Sequence, residues 1–251
     1  MKNKLKELIA RKIAFAGLTL NLGSTRAAEI LARSGVDFLM VDLQHGNFDK
    51  NTATDSIRAI GVTGTIPLGR VADNFPGAIN DVLDAGALGV VVPMVNCAGD
   101  ARKAVSAAFY SPLGQRSKGG SAPIVYGDDY AVWANAEIIL IVMIETAMAV
   151  EKAAEIFAVP GITACLVGTS DLALDMKCGR DSDEIRAALA KVMAAGKQHD
   201  VAVGTAVGSI NEIEKLKSLA PAFYLISHDQ GLLKEAGKTI AGRLMDAMGR
   251  N

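Results

Sequence analysis

Short apolar runs alternate with longer amphipathic stretches along almost the whole chain. The apolar runs are IAFAGLTL (13–20), VDFLMVDL (36–43), IPLGRV (66–71), GVVVPMV (89–95), IILIVMIE (138–145), ITACLVG (162–168), VAVGTAV (201–207) and FYLIS (223–227). Between them lie TRAAEILARSG, NTATDSIRAIG, GAINDVLDAG, AGDARKAVSAAF, AMAVEKAAEIF, DEIRAALAKVMAAGKQ and INEIEKLKSL, followed by a long C-terminal stretch, LLKEAGKTIAGRLMDAMG. In these stretches the apolar residues return every three or four positions, the spacing that gives a helix one buried face. The pattern predicts eight strands alternating with eight helices, after a first amphipathic helix carrying Leu5, Leu8 and Ile9.

Strands that are apolar throughout are buried on both faces, which means a parallel sheet covered by helices. Eight repeats in 251 residues fit a closed (β/α)8 TIM barrel better than an open doubly wound sheet, where about five or six strands are usual. No Pro-, Gly- or Ser-rich linker divides the chain, so one domain is expected over 1–251, with the long C-terminal helix attached. The longest irregular piece, YSPLGQRSKGGSAPIVYGDD (110–129), falls between the fourth and fifth strands. A loop of that length inside a compact domain is functional or mobile.

Composition narrows the class of ligand. Half the residues are apolar, ample for a core at this length, and 26 basic residues nearly balance 27 acidic ones. That balance leaves no electrostatic footprint for nucleic acid or an anionic membrane, so a small molecule is favoured. Cys97, Cys165 and Cys178 share no CxxC spacing and are odd in number, which points away from a thiolate metal site or a disulfide framework and fits a reducing cytoplasm. The charged N-terminus lacks the apolar core of a signal peptide, and no apolar run is long enough to span a bilayer.

In such a barrel the chemistry gathers at the carboxyl ends of the strands. There the sequence places Asp42, Gln44 and His45 after strand two, Arg70, Asp73 and Asn74 after strand three, Glu145 at the end of strand five, and Thr169, Ser170 and Asp171 after strand six. Each has a plainer reading as a solvated loop residue or, for Ser170 and Asp171, as a helix cap. Glu145 is the exception, because it follows IILIVMI without a break and is drawn against the barrel interior, where an ionised carboxylate needs a partner. Two carboxylates with room for water suit a hard octahedral cation, Mg2+ or Mn2+, rather than zinc. A 2-oxo acid would complete such a site through its carboxylate and keto oxygens. Arg70 could then stabilise the charge that develops on the keto oxygen, and His45 could move the proton.

Asp84, in the last turn of INDVLDAG, is a candidate orienting partner for His45, although on the residues alone a solvated acid at a helix end is the better reading. His199 lies in a connection at the far end of the barrel, and His228 follows strand eight, where it could line the rim. None of the eight runs contains a lysine, which favours metal-assisted enolate chemistry over a Schiff base; Lys118 and Lys177 lie in loops.

VDLQHG (41–46), LGRVAD (68–73), DVLDAGALGVVVPMVNCAGDARKAVSAAFYSPLGQRS (81–117) and MIETAMAVEKAAEIFAVPGITACLVGTSDLALDM (143–176) resemble, in order and spacing, the HpcH/HpaI class II pyruvate aldolases. The resemblance runs from about residue 17 to 228 and implies cleavage of a 4-hydroxy-2-oxo acid to pyruvate, or a close analogue such as hydroxypyruvate, and an aldehyde. It implies that Glu145 and Asp171 bind a divalent metal, Mg2+ or Mn2+ with Co2+ as a further candidate. Arg70 would contact the pyruvyl keto oxygen, His45 and Asp84 would form the base dyad, and the backbone of Gly168, Thr169, Ser170 and Asp171 would hold the pyruvate carboxylate. A homo-oligomer is also implied, a hexamer built as a trimer of dimers in which the last helix packs on a neighbouring barrel.

Two features depart from the family pattern. Gln44 stands where many relatives carry glutamate before the histidine, and SPLGQRS replaces the more usual PPxGxRG at Ser111 and Ser117. The alternatives are an acyl-CoA thioester lyase of the citrate lyase beta type, for which Arg116 and Lys118 supply few phosphate contacts, and a non-catalytic 2-oxo acid sensor, which would have no use for a base dyad.

Overall fold

A computed structural model describes residues 2–250 of the chain. Helix α1 (Lys4–Ala10) precedes β1 (Phe15–Leu20), α2 (Thr25–Leu31), β2 (Phe38–Asp42), α3 (Lys50–Gly61), β3 (Ile66–Arg70), α4 (Pro76–Ala85), β4 (Gly89–Val92) and α5 (Ala98–Ala108). The chain continues through α6 (Ala122–Tyr126), α7 (Tyr130–Glu137), β5 (Ile139–Ile144), α8 (Ala147–Glu151), α9 (Ala153–Phe157), β6 (Ala164–Val167) and α10 (Thr169–Asp175). It ends with α11 (Asp183–His199), β7 (Ala202–Val207), α12 (Ile210–Leu216), β8 (Phe223–His228) and α13 (Asp229–Ala247).

The strands pair in parallel in chain order, and β8 closes on β1, so the eight-stranded barrel expected from the apolar pattern is the fold found. The helical stretches are more broken than expected. AMAVEKAAEIF divides at Lys152 into α8 and α9, GTSDLALD forms α10, and the 110–129 piece contains α6. Pro123 sits in the first turn of α6, and Gly127, at φ 96°, ends it. That segment has its own small core: Tyr126 stacks on Tyr130 at 5.9 Å, and Trp133 meets Tyr130 edge-on at 5.0 Å.

Alternate strand residues face opposite sides, and the two faces bury against different partners. Leu39, Val41, Leu140, Val142 and Ile144 pack outward under the helices, whereas Phe38, Met40, Ile66, Leu68, Ile139, Ile141, Met143 and Leu166 fill the barrel. At the amino end Phe15 stacks on Phe223 at 5.2 Å, with Phe38 edge-on to both. Leu5 of α1 is fully buried in the same cluster and plugs that end, worth about 2 kcal/mol in removed apolar surface. Gly17 is required here: a Cβ would come within 2.3 Å of the Phe38 carbonyl oxygen. Among the described residues no helix is long and apolar enough to cross a membrane.

Candidate active site

The inward positions stay on a period of two past the last apolar residue, and this builds the site. Phe38 and Met40 are followed by Asp42, Ile66 and Leu68 by Arg70, and Ile139, Ile141 and Met143 by Glu145. The face that is core at the bottom of the barrel becomes acid, guanidinium and acid at its mouth. Asp42 and Arg70 are ladder partners across β2 and β3. Arg70 Nε donates to Asp42 Oδ1 at 2.9 Å and Nη2 to Oδ2 at 2.6 Å, a bidentate pair with Asp42 fully buried and Arg70 nearly so.

The loop that turns out of β2 wraps the same carboxylate. Backbone N–H groups of Gln44 and His45 donate to Oδ1 at 3.0 and 3.3 Å, and Asn21 Nδ2 donates to Oδ2 at 3.0 Å. Burial pushes the Asp42 carboxyl up, but the hydrogen bonds and charge of Arg70, with the two amides, outweigh it and hold its pKa below the ordinary value.

Glu145 is 3 % exposed. Its Oε1 accepts the Met94 N–H at 2.6 Å; Met94, in left-handed backbone at φ 53°, turns that amide inward after β4. Burial raises the Glu145 pKa; the Met94 amide opposes this, the charge of Asp171 adds to it, and Arg70 and His45 pull it down. Asp171 is exposed in the first turn of α10, near enough for its charge to act on Glu145. Gly168 lies against Glu145, where a Cβ would stand 3.0 Å from Oε2.

Two carboxylates, one of them buried and short of positive charge, fit a hard divalent cation that completes its shell with ligand oxygens. Among the described residues no three His, Cys, Asp or Glu side chains cluster to hold a metal. Gly168 precedes α10 without a capping side chain, leaving the first-turn amides of Thr169, Ser170 and Asp171 free of intrahelical partners. Arg180, which sequence reasoning missed, donates from Nε to Thr169 Oγ1 at 3.2 Å.

His45 lies exposed on the same rim, and its imidazole makes no hydrogen bond among the described residues. Asp84 is elsewhere. Helix α4 starts at the mouth and runs about 15 Å back down the barrel, which carries Asp84 to the opposite end. There its Oδ1 accepts from Arg116 Nη2 at 2.6 Å. A His45–Asp84 dyad is therefore not made within one chain. Arg116 is itself buried, its guanidinium 4.8 Å from the Tyr110 ring and its Nη1 donating to Tyr130 Oη at 3.0 Å. His228, expected at the rim, caps α13: its Nδ1 accepts from the Gly231 N–H at 3.1 Å.

Comparison with known proteins gives the family. The model of the HpcH/HpaI aldolase/citrate lyase family matches residues 16–236. A hydroxypyruvate/pyruvate aldolase of Rhizorhabdus wittichii is 36% identical over 190 residues, 75% of this chain and 76% of that one. A 4-hydroxy-2-oxo-heptane-1,7-dioate aldolase of Shigella flexneri is 30% identical over 249 residues, covering 97% of this chain and 93% of its own. The crystal structure of an HpcH/HpaI aldolase/citrate lyase family protein from Burkholderia cenocepacia superposes with a TM-score of 0.91 at 31% identity, covering 97% and 99% of the two chains. With its barrel, its strand-end carboxylates and these relatives together, the chain belongs to the HpcH/HpaI aldolase/citrate lyase family and is an aldolase, a carbon–carbon lyase.

Proposed function

We propose that this protein is a metal-dependent aldolase that reversibly splits a 4-hydroxy-2-oxo acid into pyruvate, or hydroxypyruvate, and an aldehyde. The observation that carries the reading is the placement of Arg70, locked by Asp42, on the same inward face and at the same mouth as Glu145, with Asp171 beside it. Glu145 and Asp171 would hold the metal, Mg2+ or Mn2+ by the hardness of their oxygens. When bound, that cation supplies positive charge to the carboxylate and keto oxygens of the 2-oxo acid.

In cleavage the C3–C4 bond breaks, its electron pair moves through C3 to the keto oxygen, and a carbonyl forms at C4. Arg70 donates to that oxygen as negative charge develops on it; Asp42 takes only its Nε and one Nη2 hydrogen, which leaves Nη1 for the substrate. His45 takes the proton from the C4 hydroxyl, and protonation at C3 completes pyruvate. The first-turn amides of Thr169, Ser170 and Asp171 hold the carboxylate. Oxaloacetate, which loses CO2 through the same enolate, is an expected side substrate.

Orientation of His45 by Asp84 then requires a second copy of the chain. The expected hexamer, a trimer of dimers, is supported by α13, where Leu233, Ile240, Leu244 and Met248 form an exposed apolar stripe. The free state of Cys97, Cys165 and Cys178 supports a cytoplasmic site of action. The thioester lyase reading loses its main support, because the Arg116 side chain is wholly buried and spent on Asp84 and Tyr130.

The test is pyruvate release from a panel of 4-hydroxy-2-oxo acids, read through a coupled dehydrogenase with Mg2+ or Mn2+ and again after chelation. Release that stops with the chelator and returns with metal is expected. No release from any member of the panel, with metal shown by calorimetry to be bound, overturns the reading.

A further inference from the structure

We propose that Asn21 is a positioning residue for Arg70, acting through Asp42. Only its kinetic readout rests on the aldolase reading above. Asn21 takes the inward position that follows Phe15, Gly17 and Thr19 on β1, so the period of two brings it to the mouth beside the end of β2. Its Nδ2 donates at 3.0 Å to Asp42 Oδ2, the oxygen that also receives Arg70 Nη2 at 2.6 Å. An ionised carboxylate only accepts, so the amide must turn its NH2 toward Asp42, and its orientation is settled by that chemistry.

The division of labour within Asn21 points to aiming rather than to holding the fold. Its backbone carries the structural contacts: its N–H donates to Asp229 Oδ1 at 2.8 Å, the next N–H, of Leu22, donates to Oδ2 at 3.1 Å, and its C=O accepts from the Asn47 N–H at 2.9 Å. Asp229 is 2 % exposed and begins α13, so this clamp is rigid. Among the described residues the side chain makes one hydrogen bond, from Nδ2 to Asp42. Asp42 Oδ1 is fixed by three donors, whereas Oδ2 has Arg70 and Asn21 only. Asn21 therefore sets the rotation of the carboxylate on the side where Arg70 Nη2 is held.

The charged and titratable groups around position 21 are Asp42 and His45 at the end of β2, Arg70 on β3, and Asp229 and His228 at the start of α13. Asn21→Asp sets a second carboxyl against Asp42. Like charges at this distance share one proton, so the new group titrates above the ordinary carboxylate range. Below that point its O–H donates to Asp42 as the amide does; above it, two anions repel and the Arg70 fork is displaced.

The experiment follows deuterium exchange into the methyl group of pyruvate with Mn2+ against pH, alongside the Nε–H resonance of Arg70 in the intact 15N-arginine-labelled protein. Expected is near-wild-type exchange for Asn21→Asp at acid pH, falling about tenfold to a hundredfold as pH rises through a transition absent from the wild type. Asn21→Ala should show the same loss in kcat at every pH, with KM little changed. The Arg70 resonance should move with the same transition in Asn21→Asp. A wild-type pH profile and an unmoved Arg70 resonance in Asn21→Asp would overturn the proposal. If the wild type exchanges nothing, the aldolase reading fails, and the Arg70 resonance alone still decides the role of Asn21.

Discussion

Arg70 and Asp42 are joined by two hydrogen bonds, at 2.9 and 2.6 Å, across paired positions of neighbouring parallel strands. The fork is thus aimed by the sheet itself. Asp42→Asn would remove the charge that balances a nearly buried guanidinium and should destabilise the protein by about 3 kcal/mol at neutral pH. The folded pKa of Asp42 is depressed, so its contribution is complete above the ordinary value of 3.8 and is lost as pH falls through the lower folded value. Denaturant melts of wild type and Asp42→Asn should therefore differ at pH 7 and converge in strong acid; equal stability at pH 7 would falsify the pairing as an energetic link.

His45 makes no side-chain bond among the described residues and lies exposed. His45→Ala should lower kcat for aldol cleavage by at least about a hundredfold. Stability should change by no more than about 0.5 kcal/mol, and calorimetric metal binding should be retained. Cleavage at wild-type rate would remove it as the base.

Glu145 stands opposite to Asp42 in its linkage. Its folded pKa is raised above 4.5, so its proton-linked stability is present below that value and is lost as pH rises through the folded pKa. At pH 7 metal-free Glu145→Gln should be more stable than wild type, because the amide removes the buried charge that burial penalises. Mn2+ should raise the Tm of the wild type and leave that of the variant unchanged. A variant less stable than the metal-free wild type, or equally shifted by Mn2+, would contradict the assignment.

The stripe on α13 touches little of its own chain: Ile240 and Leu244 are 54% and 53% exposed. Ile240→Asp combined with Leu244→Asp should leave the barrel folded and split the proposed hexamer, as read by light scattering. An unchanged mass would place the interface elsewhere.

The strands were legible because runs such as IILIVMI are buried on both faces and admit no other reading as clean. Glu145 was legible for the same reason, as a charge at the end of such a run. The partner of Arg70 was not, because Asp42 lies 28 positions away and only the parallel register sets the two side by side. Asp84 was hidden further. Its partner Arg116 comes from a loop whose aromatic packing with Tyr110 and Tyr130 has no periodic signature in the sequence. Asn21 gave no signal at all, since its role depends on a single amide contact.

Leu5 and the ring of Phe15, Phe38 and Phe223 close the amino end of the barrel. Among the described residues that end is filled by side chains, which leaves the carboxyl-end mouth for entry. On the proposed reading, a 2-oxo acid held by Arg70 and Glu145 would sit on the inward face of the barrel, with the aldehyde meeting it from the mouth, so that in synthesis the acid would enter first and in cleavage leave last. The proposed turnover would then be ordered by architecture, and accumulated pyruvate should compete with the cleaved substrate for the empty enzyme while the aldehyde does not.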